Sequence, residues 1–122
     1  MPHTKESQSV FFSLKSILKK YEKGKIVVHD TATNYYLDAG YSEKWKKVIF
    51  FGAVSIKKNY VSFYYFPVYM FPDLLAGISP ELKKHMQGKS CFNFKEMERK
   101  LFVELAELTK RGAERARREK TV

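Results

Sequence analysis

The sequence is poor in cysteine and has no long apolar run. Only one of its 122 residues is cysteine, Cys91, so neither an internal disulfide nor an all-cysteine zinc site can form. Lys57, Lys58 and Asn59 interrupt the richest apolar stretch, which leaves no run near the roughly 18–20 residues of a membrane-spanning helix. The first residues also lack the apolar block of a secretory signal. These absences predict a single cytoplasmic domain without a membrane span.

Acidic residues are scarce as well. The chain has 23 Lys and Arg against 13 Asp and Glu, which gives a net charge of +10 at pH 7. Nucleic-acid binders concentrate such charge on one face or stripe. Here the cations are spread over several segments, which is typical of a solvated surface. Binding of nucleic acid or another polyanion is therefore the alternative and not the leading hypothesis.

The residues that are present predict a folded chain with helices at both ends. The hydrophobic fraction of 44% and the aromatic fraction of 16% exclude a disordered tail. Apolar residues at helical spacing predict a first helix over 7–22 and a last helix over 95–111. Ser79-Pro80-Glu81 is a helix-start pattern and predicts a short helix between them.

Strand signals fill the middle of the chain. Residues 48–70 carry the clearest one, two apolar runs that flank a predicted hairpin turn at Lys58-Asn59. Shorter β-prone runs cover 26–28, 33–37 and 90–94, and residues 40–47 are predicted as a loop or a short turn of helix. The predicted fold is α+β, a small and mostly antiparallel sheet packed by an N-terminal helix, a short Ser-Pro-capped helix and a long C-terminal helix.

The predicted domain covers residues 1–122. Its ordered core extends over about 7–111. After Gly112 the chain has almost nothing to bury, so we expect a charged tail over 112–122 that frays.

The hairpin turn determines which side chains share a face. With a two-residue turn at Lys58-Asn59, Ser55 pairs with Ser62 and Ala53 pairs with Tyr64. The face predicted to pack on the helices carries Phe50, Gly52, Val54, Ile56, Val61, Phe63 and Tyr65. The opposite face carries Phe51, Ala53, Ser55, Tyr60, Ser62, Tyr64 and Phe66.

The second face is the candidate ligand-binding site, because it combines small residues with tyrosine hydroxyls. Tyr36 and Asn93 join it from the neighbouring strands, since Leu37 and Phe92 would then point into the core. The predicted site residues are Tyr36, Ser55, Tyr60, Ser62, Tyr64 and Asn93. The competing interpretation is that these tyrosines only cover a half-buried sheet.

No arrangement in the sequence indicates catalysis. Gly88-Lys89-Ser90 lacks the earlier glycine of a phosphate-binding loop, because Lys83 occupies that position. The histidines His3, His29 and His85 have no metal-ligand spacing. We therefore predict no catalytic residue, no metal site and no cofactor.

The order of segments resembles that of the YdhG-like domain family of bacterial proteins of unknown function. The segments are FFGAVSIKKNYVSFYYFPVY, ISPELKKHMQGKSCFNFKEME and LFVELAELTKRGAE. The resemblance covers residues 10–117 and is most specific over 50–94. It implies one α+β domain with helices packed on a small sheet, and it implies no assigned reaction. The family often has a Trp-Gly-x-Pro segment, whereas Trp45 is followed here by Lys46-Lys47.

Some members of that family are described as frataxin-like iron chaperones, so the resemblance also implies iron delivery as a possibility. Iron bound in this way needs clustered carboxylates. Asp30, Asp38 and Glu43 form the only local acidic excess. The leading hypothesis is non-enzymatic binding of a small ligand or a protein partner through the tyrosine-lined face. Nucleic-acid or polyanion binding is the alternative, and iron delivery ranks below both.

Overall fold

One antiparallel sheet organises the computed structural model, which describes residues 5–120. Strands adjacent in the sequence are adjacent in the sheet, in the order β1-β2-β3-β4-β5. The strands are β1 (Ile26–Asp30), β2 (Asn34–Ser42), β3 (Lys47–Ile56), β4 (Val61–Tyr65) and β5 (Cys91–Phe94).

Four α-helices and one 3₁₀ helix accompany the sheet in the described residues. They are α1 (Lys5–Lys19), α2 (Phe66–Met70), the 3₁₀ helix (Pro72–Gly77), α3 (Pro80–Lys83) and α4 (Arg99–Arg118). The fold is α+β, as the sequence predicted. Within residues 5–120 no helix has the length and apolar character needed to cross a membrane.

The long helices α1 and α4 pack against the same face of the sheet. Leu14 and Leu18 of α1 and Leu105 and Leu108 of α4 have no exposed surface and belong to one apolar core. A Cβ atom on Gly52 in β3 would lie 3.0 Å from the side chain of Leu18. Helix α1 therefore rests directly on the centre of the sheet, and glycine at position 52 permits the close approach.

The β3–β4 hairpin has the predicted register. Ser55 lies opposite Ser62, and Ala53 lies opposite Tyr64. Val54 and Phe63, which the sequence assigned to the helix side, have no exposed surface and belong to the core. The assignment of faces is confirmed for this part of the hairpin.

Phe50 and Phe51 lie on the faces opposite to those predicted. The register between β2 and β3 shifts at Leu37 and Asp38, which leaves Phe51 as an extra residue in β3. Phe51 is 3% exposed and belongs to the core. Phe50 instead lies against Tyr36 on the other face, with 4.8 Å between ring centroids. The bulge inverts the alternation on which the sequence prediction rested.

The connection predicted over 40–47 is shorter in the structure, because β2 continues to Ser42, β3 begins at Lys47 and the turn covers only 43–46. Ser42 is fully buried and closes the turn between these strands. Its carbonyl accepts a hydrogen bond from the Lys46 amide at 2.7 Å, and its hydroxyl accepts one from the Trp45 amide at 3.2 Å. Hydrogen bonds that the buried serine accepts thus close a tight turn.

The short helix α3 begins as the sequence predicted. The Ser79 hydroxyl accepts a hydrogen bond from the Leu82 amide at 3.1 Å, which makes Ser79 its N-cap. Ser79 also donates from its hydroxyl to Glu104 of α4 at 2.6 Å. The cap therefore ties α3 to the last helix.

Helix α4 begins at Arg99, later than predicted, and continues to Arg118, beyond the predicted end at Arg111. Gly112 and Ala113, which the sequence placed in a fraying tail, are buried. The sequence predicts that the last helix ends before Gly112, whereas Gly112 lies inside α4 and packs against Tyr65 and Pro67. Residues 121–122 of the predicted tail lie outside the described residues.

Candidate binding face

The candidate site is the face of the sheet that points away from α1 and α4. Two rows of cross-strand neighbours bring its predicted residues together. Tyr36, Ala53 and Tyr64 form one row, and Ser55, Ser62 and Asn93 form the other. Helices α1 and α4 pack on the opposite side of the sheet, and we refer to this surface as the uncovered face. Its central members are Tyr36, Phe50, Ala53, Ser55, Ser62, Tyr64 and Asn93.

The polar row is largely occupied by its own hydrogen bonds. The Ser62 hydroxyl donates to Asn93 Oδ1 at 2.7 Å, and the Cys91 thiol lies 3.3 Å from the same oxygen. Asn93 Nδ2 donates to Gln87 Oε1 at 2.7 Å. Because Ser62 is only 1% exposed, these groups stabilise the sheet and leave few donors for a ligand.

Cys91 is the one thiol of the chain, and its surroundings decide its chemistry. Burial raises the pKa of the Cys91 thiol, although hydrogen bonds from Ser62 and Tyr64 and the charge of Lys57 act in the opposite direction. A thiol with a raised pKa is mostly protonated near neutral pH and is a weak nucleophile. The uncovered face therefore offers no activated nucleophile at Cys91.

Aromatic rings cross the uncovered face in one continuous chain. The centroid distances are 5.9 Å from His29 to Tyr36, 4.8 Å from Tyr36 to Phe50, 6.1 Å from Phe50 to Phe66 and 5.5 Å from Phe66 to Tyr69. We call these five rings the aromatic chain. Of these five residues, the sequence predicts only Tyr36 as a site residue. The bulge at Phe51 places Phe50 on this face, and the other three rings come from β1 and α2.

Side chains of the sheet cover the centre of the uncovered face. Ala53 is 4% exposed, so neighbouring side chains already cover the position between the two tyrosines. Tyr36 and Tyr64 are themselves half-buried. The small residue Ala53, which helped to make this face the candidate site, therefore leaves little surface exposed at this point.

The rim of the uncovered face is apolar and exposed. By strand register Ile26, Tyr41 and Val48 lie on the same side of the sheet as Phe50. Their exposed fractions are 50%, 53% and 51%. Tyr69, at the end of the aromatic chain, is 53% exposed. An apolar surface that extends beyond isolated side chains is typical of an interaction site.

Charge on the uncovered face is small and mixed. The Lys57 ammonium lies 5.9 Å from the centroid of the Tyr64 ring. Asp38 lies opposite Phe50 in the register. Burial, with a smaller contribution from Asp38, raises the pKa of the Tyr36 hydroxyl, so this group stays neutral at physiological pH.

Tyr60 lies apart from the other tyrosines, at a corner of the uncovered face. With Asn93 it lines an open cavity of about 560 Å³. His85 lies in the same cavity, where its Nδ1 is 2.8 Å from the Asn93 carbonyl oxygen and its Nε2 is 3.5 Å from Glu98 Oε2. Both nitrogens of this ring are engaged, and the ring stacks on Phe94. These contacts hold the segment before β5 against that strand.

Metal coordination has no basis among residues 5–120. No group of three or more His, Cys, Asp or Glu side chains there lies close enough together to hold an ion. Asp30, which the sequence placed in its acidic excess, instead pairs with Lys15 at 2.7 Å. His3, one of the three histidines whose spacing was found unsuited to a metal, lies outside the described residues.

Comparisons with known proteins add no relative to this description. No protein-family model, no curated protein and no solved structure matched the chain. The likeness to the YdhG-like domain family thus remains an expectation from the sequence motifs.

Proposed function

We propose that this protein is a non-enzymatic binding domain and that its uncovered face binds a protein partner, namely the same face of a second copy. The observation that carries the proposal is the aromatic chain, which crosses the sheet face opposite α1 and α4 and ends on α2. A small ligand is the less favoured occupant, because Ala53 at the centre of that face is already covered.

Apposition of two such faces follows the packing of antiparallel sheets. Sheets stack face to face about 10 Å apart and bury the side chains between them. In this chain the half-exposed Ile26, Tyr41 and Val48 would enlarge the apolar contact around the aromatic chain. A two-fold arrangement needs only one self-complementary surface, which an apolar and weakly charged face can provide.

Charge also favours this face as the contact between copies. A chain of net charge +10 repels its own copies, and the repulsion weakens as salt screens it. The uncovered face contributes little to the repulsion, because Asp38 partly balances Lys57. A dimer formed there would therefore become tighter at higher salt, which is the opposite of a polyanion complex.

Self-association is tested by sedimentation velocity over about 10 to 500 μM, a range that covers a weak to moderate dissociation constant. We expect a concentration-dependent dimer that Tyr41→Lys or Val48→Lys weakens by about tenfold or more, since each variant buries a charge in the apolar contact. Val103→Lys is the matched control, because Val103 on α4 is 72% exposed and lies away from the uncovered face.

A monomer at every concentration would overturn the proposal. An equal loss of dimer in Val103→Lys would overturn it as well, since the effect would then come from added charge and not from the uncovered face.

Single-stranded nucleic acid is the second candidate partner. The net charge of +10 and the Lys57 ammonium over the Tyr64 ring favour it, because bases stack on aromatic rings beside cations. Its test is fluorescence anisotropy with a labelled oligothymidine of about 15 nucleotides at two salt concentrations. We expect binding only at low salt, as dispersed lysines produce. Sub-micromolar affinity near 0.15 M salt, lost in Tyr64→Ala, would replace dimerisation as the function of this face.

A further inference from the structure

The helix side of the sheet contains a second feature, an open cavity of about 440 Å³. It lies where the chain leaves α1 and turns through residues 20–25 into β1, opposite the last turns of α4. Gly24 adopts a φ of +83° in this turn, a conformation that glycine reaches without strain. We call this feature the basic cavity. It does not overlap the uncovered face, so what it binds is independent of dimerisation.

Four cationic side chains line the basic cavity, and no carboxylate lines it. They are Lys20, Lys23 and Lys25 from the turn and Arg117 from α4. None of the four takes part in an ion pair among the described residues. Such convergence of uncompensated cations favours an anion between them.

The surroundings of Lys25 illustrate the excess of positive charge. Burial lowers the pKa of the Lys25 ammonium, and the nearby Arg117 lowers it further. Acidic groups act on one lining residue, Tyr21, whose pKa is raised by burial and by Glu114 and Glu107 of α4. These two carboxylates reduce the positive potential near Tyr21, but they do not line the basic cavity themselves.

Apolar groups form the rest of the lining. Phe51 lies at its base, with the Lys25 ammonium 4.7 Å from the ring centroid and the Tyr21 ring 6.2 Å away. Ala113 and Ala116 line the α4 side and leave the space between helix and turn unfilled. The volume falls within the range of small-molecule sites, and cations beside aromatic rings suit a ligand with both a charged and a planar part.

We propose that the basic cavity binds a small phosphomonoester whose phosphate is attached to a ring. Lys20, Lys23, Lys25 and Arg117 contact the phosphate, which accepts charge-assisted hydrogen bonds from ammonium and guanidinium groups. The ring packs against Phe51 and the alanines of α4.

Isothermal titration calorimetry with three probes tests this inference. Phenyl phosphate carries both parts, inorganic phosphate carries only the anion, and phenol carries only the ring. We expect phenyl phosphate to bind at one site per chain and about tenfold more tightly than inorganic phosphate, with no binding of phenol. Equal affinity for phenyl phosphate and inorganic phosphate, or no saturable binding of either, would overturn the proposal.

Two double variants distinguish phosphate binding in the basic cavity from a general effect of the protein's positive charge. The double variant Lys25→Ala with Arg117→Ala should weaken phenyl phosphate binding by about tenfold or more. The matched control is Lys58→Ala with Lys89→Ala, which removes the same charge from exposed positions elsewhere. A similar loss in the control would overturn the proposal.

Ala116→Leu provides a second test that keeps all four cations and fills the space for the ring. It should abolish the preference for phenyl phosphate over inorganic phosphate, and an unchanged preference would contradict the assignment of the ring.

A single-stranded oligonucleotide that lacks a terminal phosphate distinguishes a phosphomonoester from the phosphodiester backbone of a nucleic acid. If it competes as well as phenyl phosphate, the cavity is part of a polyanion surface and the proposal is wrong.

Discussion

Replacing Phe63 with alanine should lower the free energy of unfolding by about 3–5 kcal/mol. Phe63 lies at the centre of β4, has no exposed surface and belongs to the apolar core. Its ring centroid is 6.1 Å from that of Tyr65 and 6.4 Å from that of Phe92. Truncation therefore leaves a cavity that neighbouring rings cannot easily fill. Urea denaturation, followed by the shift of the midpoint at constant slope, measures the effect.

The neighbouring residue supplies the control. Tyr64 points to the uncovered face and is half-buried, so Tyr64→Phe removes one hydroxyl and should cost at most about 1–1.5 kcal/mol. The contrast between adjacent residues tests the strand register directly. A Phe63→Ala variant as stable as the wild type would mean that the register is slipped and that the uncovered face lies in the core.

The part of the fold that could be predicted depends on short-range signals. Lys58-Asn59 between two apolar runs specifies a two-residue turn, and a two-residue turn determines the pairing of Ser55 with Ser62. Ser79 followed by proline specifies a helix start, and its hydroxyl makes the expected capping bond. In both cases the residues that determine the structure are adjacent in the sequence, so no tertiary contact is needed to interpret them.

The part that could not be predicted depends on contacts between distant residues. The bulge at Phe51 arises from the match of β3 to β2, and no residue near Phe51 marks it. The bulge places the Phe50 side chain on the uncovered face, where Phe50 forms the middle ring of the aromatic chain. The hydrogen bond from Asn93 to Gln87 likewise requires the segment before β5 to fold back on that strand. Sequence alternation alone therefore predicted most of the residues that share this face, but not which of their polar groups remain free.

Gly112 shows the same limit at the end of the chain. A glycine followed by charged residues usually marks a helix end. In the structure the residue lies within α4, and its missing side chain accommodates the ring of Tyr65. Tyr65 has no exposed surface, and its hydroxyl donates to the Thr109 carbonyl of α4 at 2.6 Å. The glycine is thus a packing requirement, which local sequence cannot distinguish from a helix terminator.

Gly112→Ala should therefore destabilise the protein by about 1–3 kcal/mol, the usual cost of an overpacked core. In an ordinary helix interior the same change stabilises by up to about 1 kcal/mol, so helix propensity alone predicts the opposite sign. The reason is steric, since the added Cβ would lie 2.6 Å from Tyr65 Cε2 and 3.1 Å from the Cβ of Pro67. Either α4 or the buried tyrosine must move, and movement of either strains the bond to Thr109. Thermal or urea denaturation measures the change.

Gly77→Ala is the matched control, because a Cβ atom at the end of the 3₁₀ helix would meet nothing within 4 Å. That variant should be neutral or slightly more stable through the entropy of the unfolded chain. A double-mutant cycle with Tyr65→Leu locates the strain, since the two positions should couple by about 0.5 kcal/mol or more if the clash is with that ring. If Gly112→Ala instead proved more stable than the wild type, α4 would not pack on Tyr65.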